Sequence, residues 1–164
     1  MPENISMNFR DAQPDDVKTI LALVSAAYAK WIPVIGREPK PMNADYEKAL
    51  RQHDFALLCI GEEIAGLIET MTRDDHIWIE NVAVSPAQQG MGLGRRLLQH
   101  AEEIAKRSGR TKLSLLTNAD FKANVTFYEK VGYVTTSTEP FMGGTAVYMT
   151  KILEGDAQSP TETD

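Results

Sequence analysis

A strand that runs into three glycines at alternate positions, and then into a helix, fixes the middle of this chain. Between Asn81 and Leu98 the sequence reads NVAVSPAQQGMGLGRRLL. Gly90, Gly92 and Gly94 remove side chains where the backbone enters the helix. N–H groups exposed there, backed by the positive end of the helix dipole, make an anion site of phosphate size. Arg95 and Arg96 fall in the same first turn, where the dipole disfavours cations; their presence points to a negative ligand in front of them. Upstream, Ile77 to Val84 reads as a strand that Ser85-Pro86 ends, because proline cannot continue a ladder. Downstream, Leu93, Leu97, Ala101, Ile104 and Ala105 recur at helical spacing, so one face of this helix packs on a sheet.

Two common phosphate loops do not fit. A Walker A loop needs G-x-x-x-x-G-K-[ST], and the position five after Gly90 is Arg95 with no lysine and no following Ser or Thr. A Rossmann turn needs G-x-G-x-x-G, whereas Gly90, Gly92 and Gly94 give G-x-G-x-G. The run Gln89-Gly90-Met91-Gly92-Leu93-Gly94 instead resembles the Q/R-x-x-G-x-G/A pyrophosphate loop of the GCN5-related N-acetyltransferases, the GNAT superfamily. A second segment, Asn124-Val125-Thr126-Phe127-Tyr128-Glu129-Lys130-Val131-Gly132-Tyr133, is similar to a later motif of that family, N-x-x-F-Y-E-K-x-G-F. The two stand in the order and context the family requires.

The rest of the chain fits one layout. Ser6 to Asp11 reads as a first strand, and Gln13-Pro14-Asp15-Asp16 opens a helix, with proline and acids at its start. Trp31 to Met42, WIPVIGREPKPM, reads as a long structureless connection of the kind that serves as a lid. Asn43 then caps a short helix. Phe55 to Ile60 and Ile64 to Met71, joined by Gly61-Glu62, form a hairpin and hence an antiparallel pair. Lys112 to Thr117 is a strand, Phe121 to Val131 a helix ending at Gly132, and Tyr133 to Thr138 with Thr145 to Ile152 a last pair around Phe141 to Gly144. The resemblance implies an α/β (α+β) GNAT fold: a mixed, mostly antiparallel central sheet of six to seven strands flanked by about four helices, in the order β-α-α-β-β-β-α-β-α-β-β.

Composition narrows the classes. The chain has 164 residues, 43% hydrophobic and 24% charged, which suits one globular domain over residues 1–153. Residues 154–164, EGDAQSPTETD, have no apolar periodicity and read as an acidic disordered tail. A net charge of −6 argues against general nucleic-acid or membrane-surface binding. No apolar run approaches about 18 residues, and no signal-peptide pattern opens the chain; a cytoplasmic location is expected. The single Cys59 excludes an internal disulfide and fits a reducing compartment. No H-x-x-x-H pair or Cys/His cluster calls for a metal.

The resemblance also assigns chemistry. It implies an acetyl-CoA-dependent N-acetyltransferase that passes the acetyl group to a primary amine by direct attack in a ternary complex. A non-catalytic acyl-CoA-binding sensor or interaction protein of the same fold is the alternative. Acetyl-CoA would run along the backbone of Val82, Ala83 and Val84 like an added strand. Its pyrophosphate would meet the N–H groups of Gln89, Gly90, Met91, Gly92, Leu93, Gly94 and Arg95. Asn124 matches the motif asparagine that reaches cofactor amides; Asn118 is equally a cofactor ligand or a cap for the following helix. Tyr128 matches the tyrosine that gives the departing thiolate a proton.

Glu80 shares a strand face with Val82 and Val84 by period-two alternation and is the first candidate for general base, with Glu69 on the neighbouring strand behind it. Cys59, alternating with apolar neighbours, reads as core packing, which disfavours a cysteine-linked ping-pong route. On the acceptor side the resemblance points to Tyr28, Trp31, Arg37 and Tyr46. This stretch is also similar to a subgroup of bacterial GNAT proteins. The acceptor would be a small-molecule or peptide amine, with a homodimer left open.

Overall fold

Along Ile77–Val84 every odd-numbered residue is buried and every even-numbered one is partly or fully exposed. That alternation, the period of a strand with two unlike faces, fixes which side chains this strand offers to each side. The computed structural model describes residues 6–153. The tail beyond, expected to be disordered, lies outside the described residues.

Seven strands are present among the described residues: β1 (Met7–Asp11), β2 (Asp54–Ile60), β3 (Glu63–Thr72), β4 (Ile77–Val84), β5 (Lys112–Asn118), β6 (Val134–Phe141) and β7 (Gly144–Ile152). Their hydrogen-bonded order is β1-β2-β3-β4-β5-β7-β6. The β1/β2, β2/β3, β5/β7 and β6/β7 pairs are antiparallel. Helices α1 (Val17–Tyr28), α3 (Tyr46–Gln52), α4 (Leu93–Arg107) and α5 (Lys122–Val131) are joined by a one-turn α2 (Ile32–Ile35). The mixed, mostly antiparallel sheet with four principal helices is the architecture the resemblance implied.

The chain divides into two compact units. Among the described residues, one takes 6–71 together with Ile79–Gln99, and the other takes Thr72–Trp78 and 100–153. In the first unit, Ile20, Leu23, Val24 and Ala27 of α1 and Tyr46 of α3 pack on Phe55, Leu57, Cys59, Leu67 and Ala83. Burying an aliphatic side chain of this kind stabilises by roughly 1.5–3 kcal/mol, so α1 is held by its inner stripe. Residues Pro14–Ile35 together are long and apolar enough, by composition alone, to cross a membrane. This differs from the expectation that no stretch approaches that length. The reason is that α1, the 3-10 turn Ala29–Trp31 and α2 follow one another as one continuous helical stretch whose apolar residues outweigh Lys18 and Lys30, while α1 buries its apolar stripe in this core.

Two further expectations are corrected here. Trp31 to Met42 is not structureless: it contains α2, a left-handed Gly36 (φ 76°) closing it, and a 3-10 turn over Lys40–Asn43. Pro33 sits in the first turn of α2 and Pro41 in the first turn of the 3-10 turn, where a missing N–H costs nothing. Asn43 belongs to that turn, and the cap of α3 is Asp45, whose side chain accepts from the Lys48 N–H at 3.1 Å.

A bulge separates Leu58, paired with Gly66, from Cys59, paired with Ile64. The extra residue, Ala65, turns its carbonyl to accept from Ser85 N–H at 2.8 Å. That bond anchors the end of β4 where the glycine loop begins. In the second unit, Leu113, Leu115, Val147 and Met149 form the inner face, with Phe121, Val131 and Tyr133 also buried. Met142 (φ 50°) and Gly143 (φ 83°) turn the β6–β7 hairpin. Both central residues have positive φ, as the tight turn matching strand twist requires.

Candidate active site

Sequence order brings β4 to Ser85, through a 3-10 turn over Pro86–Gln88, and into the glycine loop. Gly90 (φ 87°) and Gly92 (φ 81°) both occupy the left-handed region, which side chains with a Cβ rarely adopt. A Cβ added at either would meet nothing within 4 Å. The glycines therefore answer to backbone shape rather than to crowding by the protein, and the space before them is open. Helix α4 starts at Leu93, so Gly94, Arg95 and Arg96 lie in its first turn as expected. Both arginines and Met91 are exposed, whereas Leu93 is buried and anchors the turn. Fifteen residues of α4 supply the dipole at this end.

The Gln89 side chain is committed: its Nε2 donates to the Val84 carbonyl at 3.1 Å, and its Oε1 accepts from Lys30 Nζ at 3.4 Å. Lys30 also lies 5.2 Å from the Trp31 ring centre. A lysine from the 3-10 turn after α1 thus supplies positive charge beside a loop whose own Gln89 has none. Sequence reasoning missed Lys30, because nothing local relates position 30 to position 89.

On the α1 and α3 side of β4, Asn81 is only 4% exposed and gathers three side chains. Tyr28 donates to its Oδ1 at 2.9 Å, and the same hydroxyl lies 3.3 Å from the Val82 carbonyl. Asn81 Nδ2 donates to the Tyr46 hydroxyl at 3.1 Å, which in turn donates to the Pro41 carbonyl at 2.6 Å. Asn81 also hydrogen-bonds Glu69. His53 Nδ1 stands 2.6 Å from Glu69 Oε2. Glu69 is 3% exposed; burial, above all, pushes its carboxyl above the ordinary range, while His53 and Asn81 pull the other way and the charge of Glu80 adds to the rise. Burial likewise pushes the Tyr46 phenol well up, helped by Glu69 and Glu80. Tyr46, 3% exposed, stands behind the surface rather than on it. Glu80 is exposed on the opposite face of the strand. Arg37 is half-buried; its guanidinium donates to the Glu38 carbonyl at 3.3 Å, and its buried Nε has no partner among the described residues.

In the second unit, Tyr128 lies on α5 with its ring 5.5 Å from Phe127 and 5.9 Å from Tyr133. Burial pushes its phenol up to about 12, so it keeps its proton at neutral pH. Asn118 Oδ1 accepts from the Asp120 N–H at 2.8 Å, a local turn of a kind asparagine favours. It does not cap α5, whose first flanking residue is Phe121 with no side-chain cap. Asn124 is half-buried on the first turns of α5. Among the described residues no group of three or more His, Cys, Asp or Glu could hold a metal.

A family model for the acetyltransferase (GNAT) family matches residues 20–133, more than half of the chain. The chain belongs to the GNAT acetyltransferase family. Solved structures of the same fold share little sequence with this GNAT chain. The PaiA N-acetyltransferase of Thermoplasma acidophilum, in complex with coenzyme A, superposes with a TM-score of 0.79 at 16% identity over 90% of this chain and 99% of that one. The ribosomal-protein-S18-alanine N-acetyltransferase of Escherichia coli gives 0.75 at 19% identity over 96% and 100%. A GNAT acetyltransferase of Elizabethkingia anophelis with acetyl-CoA bound gives 0.66 at 19% over 90% and 98%. Among curated proteins, no sequence matches. The matched stretch of this GNAT chain contains the glycine loop, the Asn81 cluster and Tyr128.

Proposed function

We propose that this chain is an acetyl-CoA-dependent N-acetyltransferase that transfers an acetyl group to a primary amine by direct attack in a ternary complex. The observation that carries the reading is the loop at Gly90 and Gly92: positive φ at both, nothing within 4 Å of a built Cβ, and a helix N-terminus behind. A pyrophosphate fits such a cradle, and the N–H groups of Gln89 to Arg95 would hold it. Acetyl-CoA supplies the activated acyl group as a thioester. Lys30 adds positive charge beside the loop, and the backbone of Val82, Ala83 and Val84 lines the donor.

An acceptor amine, mostly protonated with a pKa of roughly 8 to 10.5, needs a group to take its proton. Glu80, exposed on β4, is the proposed base. Tyr128 keeps its proton at neutral pH and is the proposed donor to the departing thiolate. Trp31 and Arg37 face the acceptor in this reading, and Asn118 and Asn124 reach the cofactor. Cys59 is buried and unpaired, in keeping with a reducing, cytoplasmic compartment and against a covalent acyl-enzyme. The acceptor is a small molecule or a peptide amine, the latter being the class named for the ribosomal-protein-S18-alanine enzyme.

The test is release of free CoA, followed by thiol titration, from acetyl-CoA mixed with the protein and a panel of polyamines, amino acids and short peptides with free N-termini. Amine-dependent release is expected. Tight acetyl-CoA binding with no release above the uncatalysed rate for any amine would instead favour a non-catalytic binder.

A further inference from the structure

We infer that Asn81 is a positioning residue of the acceptor side: its amide ties Glu69, Tyr28 and Tyr46 together and thereby fixes β4 between the proposed base Glu80 and the Val82 carbonyl. The inference rests on the acetyltransferase reading above and deepens it.

The bonding pattern has one solution. The Pro41 carbonyl can only accept, so the Tyr46 proton goes there and the amide nitrogen of Asn81 must be the donor to the Tyr46 hydroxyl at 3.1 Å, with Glu69 on the same side of the amide. The amide oxygen is then left to accept from Tyr28 at 2.9 Å. Tyr46 passes its own proton to the Pro41 carbonyl at 2.6 Å, which forces it to be an acceptor toward Asn81. The amide cannot flip without opposing its carbonyl to a Tyr46 oxygen whose proton is already given to Pro41.

One side chain therefore joins three elements to β4: α1 through Tyr28, α3 through Tyr46, and β3 through Glu69. Its neighbours in sequence are Glu80 and Val82, so holding Asn81 holds the two peptide units that aim them. The Tyr28 proton, given to Asn81 Oδ1 at 2.9 Å and shared with the Val82 carbonyl at 3.3 Å, bears on the second of these as well. A buried polar cluster that is fully satisfied specifies a single arrangement, and a partly satisfied one is costly. Tyr28 and Tyr46 serve in it as scaffold, their hydroxyls turned to the protein.

The cluster also contains charge. Glu69 faces His53 at the end of α3, Asn81 and the charge of Glu80 on β4, and the phenol of Tyr46. Replacing the Asn81 amide by a carboxylate sets two acids against each other. At low pH one of them holds a proton and can still donate; as pH rises both ionise and repel. The defect of Asn81→Asp must therefore grow with pH, which a loss of packing alone would not do.

The experiment compares wild type, Asn81→Asp and Tyr28→Phe, using acetyl-CoA and the fastest amine of the panel above. Rates are followed from pH 6 to 9, with calorimetric titration of acetyl-CoA alongside. Asn81→Asp is expected to lower kcat about tenfold or more at pH 8, with the ratio to wild type shrinking toward about threefold at pH 6. Acetyl-CoA affinity should stay within about threefold. Tyr28→Phe keeps the ring and the core, and should lower kcat about three- to tenfold at unchanged acetyl-CoA affinity; it decides the matter if Asn81→Asp does not fold. Wild-type rates in Tyr28→Phe, or a pH-independent ratio for a folded Asn81→Asp, would overturn the positioning role while leaving the acetyltransferase reading intact. A wild type that neither binds acetyl-CoA nor releases CoA overturns that reading and this role with it.

Discussion

No side chain separates Gly66 from Ala83: a Cβ at Gly66 would lie 3.0 Å from the Ala83 carbonyl oxygen and 3.2 Å from Leu97 Cδ1. β3, β4 and α4 meet at this point, and the absence of a side chain lets them do so. Leu97 is fully buried, three residues after Gly94 on the helix behind the glycine loop. Gly66→Ala should accordingly destabilise the protein by about 1–3 kcal/mol through forced backbone movement. Because the Ala83 peptide must shift, acetyl-CoA affinity should fall as well. Urea unfolding and calorimetric titration of the same variant check both; unchanged stability and affinity would mean that β4 yields without cost.

The glycine loop gives a binding prediction that requires no acceptor. Acetyl-CoA at about 100 times its Kd should stabilise wild type by about 2.7 kcal/mol, read as a rise in Tm. Gly92→Glu should abolish the rise, since it places bulk and negative charge in the open space before the loop. An undiminished rise would move the phosphate site elsewhere.

Tyr128 holds its proton well past neutrality, as a donor to a thiolate should. Tyr128→Phe is expected to lower kcat by roughly 10²–10⁴-fold while acetyl-CoA affinity stays nearly intact. Wild-type turnover in this variant would reduce Tyr128 to its ring contacts with Phe127 and Tyr133.

Lys30 and Arg37 come from one stretch of chain and should separate by function. Lys30→Ala, which removes the cation 3.4 Å from Gln89 Oε1, should weaken acetyl-CoA binding in a salt-dependent way. Arg37→Ala should raise the acceptor KM and change acetyl-CoA affinity by less than 1 kcal/mol, about threefold to fivefold. Salt titrations and acceptor kinetics on both variants distinguish them, and reversed effects would exchange the two assignments.

Stability should respond to the Glu69 carboxyl. Its pKa is raised in the folded protein above the ordinary 4.5, so the folded state binds more protons than the unfolded chain between the two values. The stabilisation is fully present below the ordinary value and is lost as pH rises through the folded one. Glu69→Gln removes that titration and should flatten the pH dependence of unfolding free energy in this window. Denaturant melts at several pH values measure it; identical slopes would mean that Glu69 is not the group responsible.

Much of this protein was legible in the sequence because the signals are local. Strand β4 was readable to the residue from its alternation and from Ser85-Pro86, and the start of α4 from three glycines and its apolar stripe. Gly132 ends α5 in a left-handed conformation (φ 112°), as its position after a helical run implied. Backbone preferences of glycine and proline, and the periods of helix and strand, act over a few residues and need no partner. The Trp31 to Met42 stretch misled for the same reason: prolines read as breakers, yet in the first turn of a helical segment proline fits.

The Asn81 cluster was not legible. Asn81 was passed over as part of a strand, between a candidate base and a candidate backbone ligand. Its meaning comes from Tyr28, Tyr46 and Glu69, which lie 53, 35 and 12 positions away in sequence. Lys30 and Gln89, 59 positions apart, were equally invisible as a pair. The sequence alone determined the elements, the glycine loop and the family motifs, since these follow from local backbone energetics and residue order. Only tertiary structure decided which polar groups share one buried site, because a hydrogen bond in the interior depends on distances that packing sets, and packing brings together residues that the chain keeps apart.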